Sequence, residues 1–192
     1  FFPTLVQLSE VEDLAEMNKS LLPAIEEIKR TIPNSMPEDW STNHYSTIFS
    51  GFSVIDFEGF EALRAFIVAE AINFANVLEL EIEKHPLILT QSWVNVHTKD
   101  ESQEPHVHQN SVISGVYHVK TPKKCGDLFL HSPYQYVMLN PPVKAQNEFN
   151  QRNVHITPKE GRLVLFRSFV EHSVRPNKSD QERISISINF AM

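Results

Sequence analysis

Arg183-Ile184-Ser185-Ile186-Ser187-Ile188-Asn189-Phe190 alternates polar and apolar residues without a break. Successive side chains of a β-strand point to opposite faces, so Ile184, Ile186, Ile188 and Phe190 form one apolar face. Arg183, Ser185, Ser187 and Asn189 form the other. A face of this kind is commonly turned to solvent. An arginine with two serines and an asparagine also suits the wall of a cleft. Upstream the same period recurs. From residue 88, Trp93, Asn95 and His97 alternate with Ser92, Val94 and Val96. Residues 111–119, 127–131, 154–157, 162–167 and 169–174 read as further strands, with Lys159-Glu160-Gly161 as a turn.

Before residue 88 the period is helical. Ser9 is expected to cap a helix, with Glu10, Glu12 and Asp13 in its first turn and Leu14 and Met17 on its apolar stripe. Pro23 opens a second helix carrying Ile25, Ile28 and Ile32. Residues 33–55 read as loop with one short strand. The strongest helix is expected over about 58–83, where Phe60, Leu63, Phe66, Ile67, Phe74, Val77 and Leu78 recur at three and four residues, and His85-Pro86 stops it. Helices followed by short antiparallel strands predict an α+β fold. The expectation is one domain over 1–192, a mainly helical layer (1–87) packed on a jelly-roll core (88–192). Residues 132–152, holding Tyr134 and Tyr136, form a long loop, and loops of this length are often functional.

Composition narrows the function. The chain has 192 residues, 41% hydrophobic and 21% charged, with a net charge of −7, so a nucleic-acid surface is not expected. The single cysteine, Cys125, rules out an intrachain disulfide and zinc ribbons, and reads as a turn residue beside Gly126. Neither a membrane span nor a signal peptide is evident, and the chain starts without Met, as if trimmed. A cytoplasmic location, in a bacterium or a phage-infected host, is the simplest expectation.

The chemistry-bearing segment is Glu104-Pro105-His106-Val107-His108-Gln109-Asn110. Residues at i and i+2 of an extended segment share a face, so His106 and His108 can grip one ion. In a chain with nine histidines the pair alone is a weak signal. His172, on a distant strand, can complete a facial triad of imidazoles suited to iron, zinc, copper or nickel. Arg183 follows eleven residues later. A short turn through Pro176-Asn177-Lys178-Ser179-Asp180 is expected to bring it back on an adjacent antiparallel strand. A buried guanidinium there wants a bidentate anion, and a dicarboxylate supplies one.

Several ordered motifs carry a family resemblance: Phe2-Pro3-Thr4, Trp93-Val94-Asn95, Pro105-His106-Val107-His108 and Ser114-Gly115-Val116-Tyr117. Gly161-Arg162-Leu163-Val164-Leu165-Phe166-Arg167-Ser168, His172-Ser173-Val174 and Arg183-Ile184-Ser185-Ile186-Ser187-Ile188-Asn189 extend it. Together they resemble the Fe(II)/2-oxoglutarate-dependent oxygenases, and within them a prolyl-hydroxylase-like subgroup of marine bacteria and phages. The resemblance is good over about residues 90–190 and loose before them. It implies a double-stranded β-helix (jelly-roll) core, with Fe(II) as cofactor and 2-oxoglutarate and O2 as co-substrates. It also implies hydroxylation of a C–H bond in a peptide, prolyl or other, or in a small molecule, with release of succinate and CO2. By the same resemblance His106 and His172 match the iron histidines, and Arg183 the base that pairs with the distal carboxylate of 2-oxoglutarate. His108 departs from the pattern, standing where most members carry Asp or Glu. Direct ligation by His108 is the favoured expectation, and a water-filled position the alternative.

Around this centre, Tyr117 is a candidate donor to 2-oxoglutarate or a core aromatic, and Ser185 a helper of Arg183. Asn95 and Asn189 are candidates to orient bound groups. Trp93 reads as a core residue or a wall of the cleft, and Tyr134 and Tyr136 as loop packing or as lining of the substrate entrance. His97 and His118 read as surface or satisfied histidines. His44, His85, His131 and His155 lack ligand spacing, and Arg175 has no assigned role. Two other functions stay open on the residues alone: a cupin-like three-histidine dioxygenase without 2-oxoglutarate, and a non-enzymatic jelly-roll binding module. A homodimer and the identity of the primary substrate are likewise open.

Overall fold

A computed structural model describes residues 4–41, 44–134, 141–147 and 150–192. In chain order the elements are β1 (Val6–Glu10), α1 (Leu14–Thr31), β2 (Tyr45–Ser46), a 3₁₀ turn (Val54–Asp56), α2 (Glu61–Val77), β3 (Ile88–His97) and β4 (Gln103–His106). They continue with β5 (Ile113–Lys120), β6 (Leu128–His131), β7 (Asn153–Ile156), β8 (Arg162–Arg167), β9 (His172–Val174) and β10 (Arg183–Ala191). One sheet has the order β1-β8-β5-β10-β3-β2 and the other β4-β9-β6-β7, and all pairings are antiparallel. This is the expected α+β jelly roll. Among the described residues, no helix is long and apolar enough to cross a membrane.

The alternating strand β10 lies between β5 and β3, near the middle of the larger sheet. Its apolar face joins Leu63, Ile67 and Phe74 of α2 and Leu21, Ile25 and Ile28 of α1 in the main core. Each such side chain contributes about 1.5–3 kcal/mol on burial. The polar face of β10 looks toward the smaller sheet. Between the sheets lie a compact apolar cluster, Leu128, Leu130, Ile156, Val164, Phe166 and Val170, and a pocket.

The N-terminal part differs from the expected all-helical run. Ser9 belongs to β1, which pairs with β8 in the register Leu8↔Val164, and its hydroxyl donates to Glu70 Oε2 at 2.6 Å. Asp13 caps α1 instead, its carboxylate accepting from Glu16 N at 2.9 Å. Pro23 sits inside α1 rather than starting a new helix. A proline there costs about 3 kcal/mol, which the burial of Leu21, Ile25 and Ile28 on that helix outweighs. α2 stops at Val77, before His85-Pro86, because Glu79 takes a left-handed φ of 52°. The amide of Leu80 then donates to Ala75 O at 3.0 Å, closing the helix end.

The expected hairpin between the strands of His172 and Arg183 does not form. Both edges of β9 are taken, by β4 and β6, so the chain crosses to the other sheet before β10. The crossing is pinned by Asn177, which is buried. Its Nδ2 donates to His97 O at 2.9 Å and to Gln181 O at 2.8 Å, and its Oδ1 accepts from Ser179 N at 2.9 Å. Gly126 lets the chain pass close by, with φ of +85°, where a Cβ would lie 2.1 Å from Arg175 O. Asn177→Ala is therefore expected to lower stability by about 2 kcal/mol, measured by urea unfolding. A loss below about 0.5 kcal/mol would remove the crossing from the elements that hold the fold.

Candidate metal centre and its pocket

His106, at the end of β4, is the register partner of His172 on β9. His108 follows one exposed residue later, its backbone amide donating to Ser168 O at 3.2 Å. The potential ligand atoms of the three imidazoles all lie within 4.8 Å of one another, the one such group among the described residues. Each of two rings is fixed by a carbonyl two residues back. His106 Nδ1 lies 2.7 Å from Glu104 O and His172 Nδ1 3.1 Å from Val170 O. Those contacts place the proton on Nδ1 and leave the Nε2 lone pair free. Trp93 stacks on His108 at 5.5 Å, and Phe166 meets His172 edge-on at 4.8 Å.

Burial, more than any neighbour, holds all three imidazoles below their ordinary pKa, and His108 falls to about 4. They are neutral at pH 7, the form that binds metal. His108 Nε2 lies 3.2 Å from His172 Nε2. Two imidazole nitrogens bound side by side to one ion at about 2.1 Å would stand roughly 3 Å apart, so the donor set fits a first-row metal. No carboxylate lines the pocket among the described residues.

The pocket has a volume of about 400 Å³ and takes residues from both sheets. Arg183 lines it with 0% exposure, and none of its three guanidinium nitrogens has a hydrogen-bond partner among the described residues. Burial draws its pKa down to about 10, which leaves it charged at neutral pH. An unpaired buried charge costs several kcal/mol. Three buried histidines lie near it. His97 is its register partner on β3, His118 lies on β5 opposite Ser185, and His44 stacks on His97 at 4.0 Å. Burial first and the Arg183 charge second hold His97 and His118 well below the usual imidazole range. Burial brings His44 to about 4.

Most residues singled out in the sequence converge here. Ser185, Ser187, Asn95, Asn189 and Trp93 line the pocket with the three candidate ligands and Arg183. Asn95 accepts from Ser46 Oγ at 2.8 Å and donates to Ser187 Oγ at 3.1 Å. Asn189 accepts from Ser114 Oγ at 2.8 Å and donates to Gln91 Oε1 at 2.9 Å. Tyr117 is not brought to the site. It faces the helices, edge-on to Phe66 at 6.4 Å, because it shares the apolar face of β5 with Ile113 and Val119. Tyr134 is 44% exposed and is not in the lining, and Tyr136 lies outside the described residues. Arg175 alternates away from the pocket and lies over the Phe129 ring at 4.2 Å.

His97 and His118 are buried rather than at the surface, and neither is satisfied by a protein partner among the described residues. His97 was legible from its alternation with Trp93 and Asn95, and His118 from Ser114 and Val116. Nothing in the local sequence marks His44.

Residues 91–189 match the model of a family described as "Putative 2OG-Fe(II) oxygenase". No curated protein matches the chain. Among solved structures, a Pseudomonas putida prolyl-4-hydroxylase is similar at 16% identity and a TM-score of 0.65, covering 97% of this chain and 91% of that one. A Trichoplax adhaerens prolyl hydroxylase, solved with a hypoxia inducible factor oxygen degradation domain peptide, has the same identity and TM-score over 97% of this chain and 83% of its own. HygX from Streptomyces hygroscopicus, solved with nickel, 2-oxoglutarate and hygromycin B, has 11% identity and a TM-score of 0.64, covering 98% and 83%. At these identities the likeness is one of fold.

The histidine environment sets a pH dependence. A histidine whose folded pKa lies below its unfolded value stabilises the fold fully above about pH 6.5 and loses that contribution as pH falls. For His44 the loss runs from about 6.5 down to about 4. The metal-free protein is therefore expected to show a falling thermal midpoint across this window by circular dichroism, with a shallower fall in His44→Phe.

Proposed function

The chain belongs to the 2OG-Fe(II) oxygenase family, and from that membership we propose that His106, His108 and His172 hold the iron and Arg183 holds the distal carboxylate of 2-oxoglutarate. The primary reaction in this reading is hydroxylation of a C–H bond in a peptide, a prolyl residue included, or in a small molecule. Fe(II), 2-oxoglutarate and O2 together supply an oxidant that places one oxygen atom on the substrate, while 2-oxoglutarate is converted to succinate and CO2.

The observation that carries the reading is the guanidinium of Arg183, unpaired among the described residues, in the same pocket as three convergent neutral imidazoles. A metal-only site would leave that buried charge without an anion, which argues against a three-histidine dioxygenase lacking the co-substrate. A ligand with a carboxylate at one end and metal-binding oxygens at the other answers both features. His108 in place of a carboxylate removes one negative charge from the ion's surroundings. Trp93 and Phe166 hold His108 and His172 against rotation, and the Asn95–Ser187 and Asn189–Gln91 bonds keep the floor rigid.

Toward the remaining lining, Trp40, Ile48, Phe49, Gln91, Val107 and Gln109 offer apolar and amide groups but no charge. An uncharged group bearing the reacting C–H bond suits that surface, since a charged one would be desolvated without a partner. The peptide seen with the Trichoplax enzyme and the hygromycin B seen with HygX mark the range of substrates to assay.

With Fe(II) and O2, the purified protein is expected to convert 2-oxoglutarate to succinate, slowly without primary substrate, as followed by mass spectrometry. His172→Ala should abolish Fe(II) retention by metal analysis. Arg183→Leu should raise the KM for 2-oxoglutarate by roughly 100-fold, the effect of losing a bidentate charge-assisted pair. Metal-loaded protein that never binds 2-oxoglutarate would overturn the reading.

A further inference from the structure

A second set of unused hydrogen-bonding groups lies beside Arg183. His97 is 2% exposed, lines the pocket, and has no hydrogen-bond partner on either ring nitrogen among the described residues. It sits directly across the strand pair from Arg183. Its backbone is fixed, because His97 O accepts from the buried amide of Asn177 at 2.9 Å. Its ring is fixed too, since His44 stacks on it at 4.0 Å with an 18° angle between the planes. A buried polar group left unpaired costs about 1–3 kcal/mol, so a rigid, orphaned imidazole facing a pocket calls for a ligand.

The chemistry of that ligand follows from donors and acceptors. Arg183 offers five N–H donors and no acceptor. A neutral imidazole offers one N–H donor, and the neighbouring guanidinium disfavours a second proton on it. A carboxylate offers about four acceptor positions. A bidentate guanidinium occupies two and leaves room for a donor from the side. His118 has the same orphaned nitrogens but is not in the pocket lining, so His97 is the ring placed to reach a ligand.

Resting on the proposed role of Arg183, we propose that His97 donates its ring N–H to the distal carboxylate of 2-oxoglutarate, with His44 as a positioning residue that holds the His97 ring by stacking. The pair then selects for a keto acid that carries a second carboxylate at its far end.

The test is calorimetric titration of Fe(II)-loaded protein without oxygen, comparing 2-oxoglutarate with 2-oxopentanoate, which lacks the distal carboxylate. His97→Leu should weaken 2-oxoglutarate about ten-fold or more and leave 2-oxopentanoate within about two-fold. His97→Gln, which keeps an N–H donor, should recover most of the loss. Equal weakening of both ligands, or of neither, would overturn the donor role. Should the leucine variant fail to fold, the wild type still decides the matter. In ¹⁵N-histidine-labelled, Zn(II)-loaded protein, 2-oxoglutarate but not 2-oxopentanoate should bring out a solvent-protected ring N–H signal that is missing in His97→Gln. Absence of that signal on saturation with 2-oxoglutarate overturns the proposal. Wild-type protein that binds neither keto acid refutes the functional reading beneath it, an outcome distinct from loss of selectivity alone.

Discussion

A guanidinium with no exposed surface and no acceptor among the described residues is the constraint around which this molecule is organised. Arg183 begins the strand that pairs with both β3 and β5 in the larger sheet, and its own register partner is His97 on β3. Its buried charge costs several kcal/mol when unpaired. The fold carries that cost through the opposite face of the same strand, where Ile184, Ile186, Ile188 and Phe190 are buried against the helices. Apolar burial on one face thus holds a polar, pocket-lining surface in place on the other.

The same division orders the neighbouring strands. β5 turns Ile113, Tyr117 and Val119 toward the helices, while β3 turns Trp93, Asn95 and His97 toward the pocket. The smaller sheet contributes the other wall, and its β4–β9 pairing sets His106 beside His172. Metal-type donors and the anion-seeking arginine therefore come from different sheets. Their separation is governed by sheet packing and by the Asn177-pinned crossing rather than by any local turn.

Much of this was legible in one dimension. The alternation of β10 identified its two faces correctly, and the family pattern carried by Pro105-His106-Val107-His108 and Gly161–Ser168 pointed to the jelly roll. The differences have separate causes. Pro23 and His85-Pro86 were weighed as local breakers, yet α1 runs through the proline and α2 ends earlier, because tertiary burial and a left-handed Glu79 outweigh local preference. Of the two readings of Tyr117, ligand donor and core aromatic, the structure takes the second, because its strand parity assigns it to the apolar face. His97 and His118 were judged by how often histidines lie at surfaces, although the parity of β3 and β5 put them on the pocket side.

By itself, then, the sequence determined which side chains share a strand face, because the period of two is a local property of extended backbone. It also determined the i, i+2 spacing of His106 and His108. Only the tertiary structure decided that β9 and β10 lie in different sheets, since edge pairing is a competition among strands distant in the chain. It alone left Arg183, His97 and His118 buried without partners among the described residues, because the desolvation of a group depends on everything packed around it.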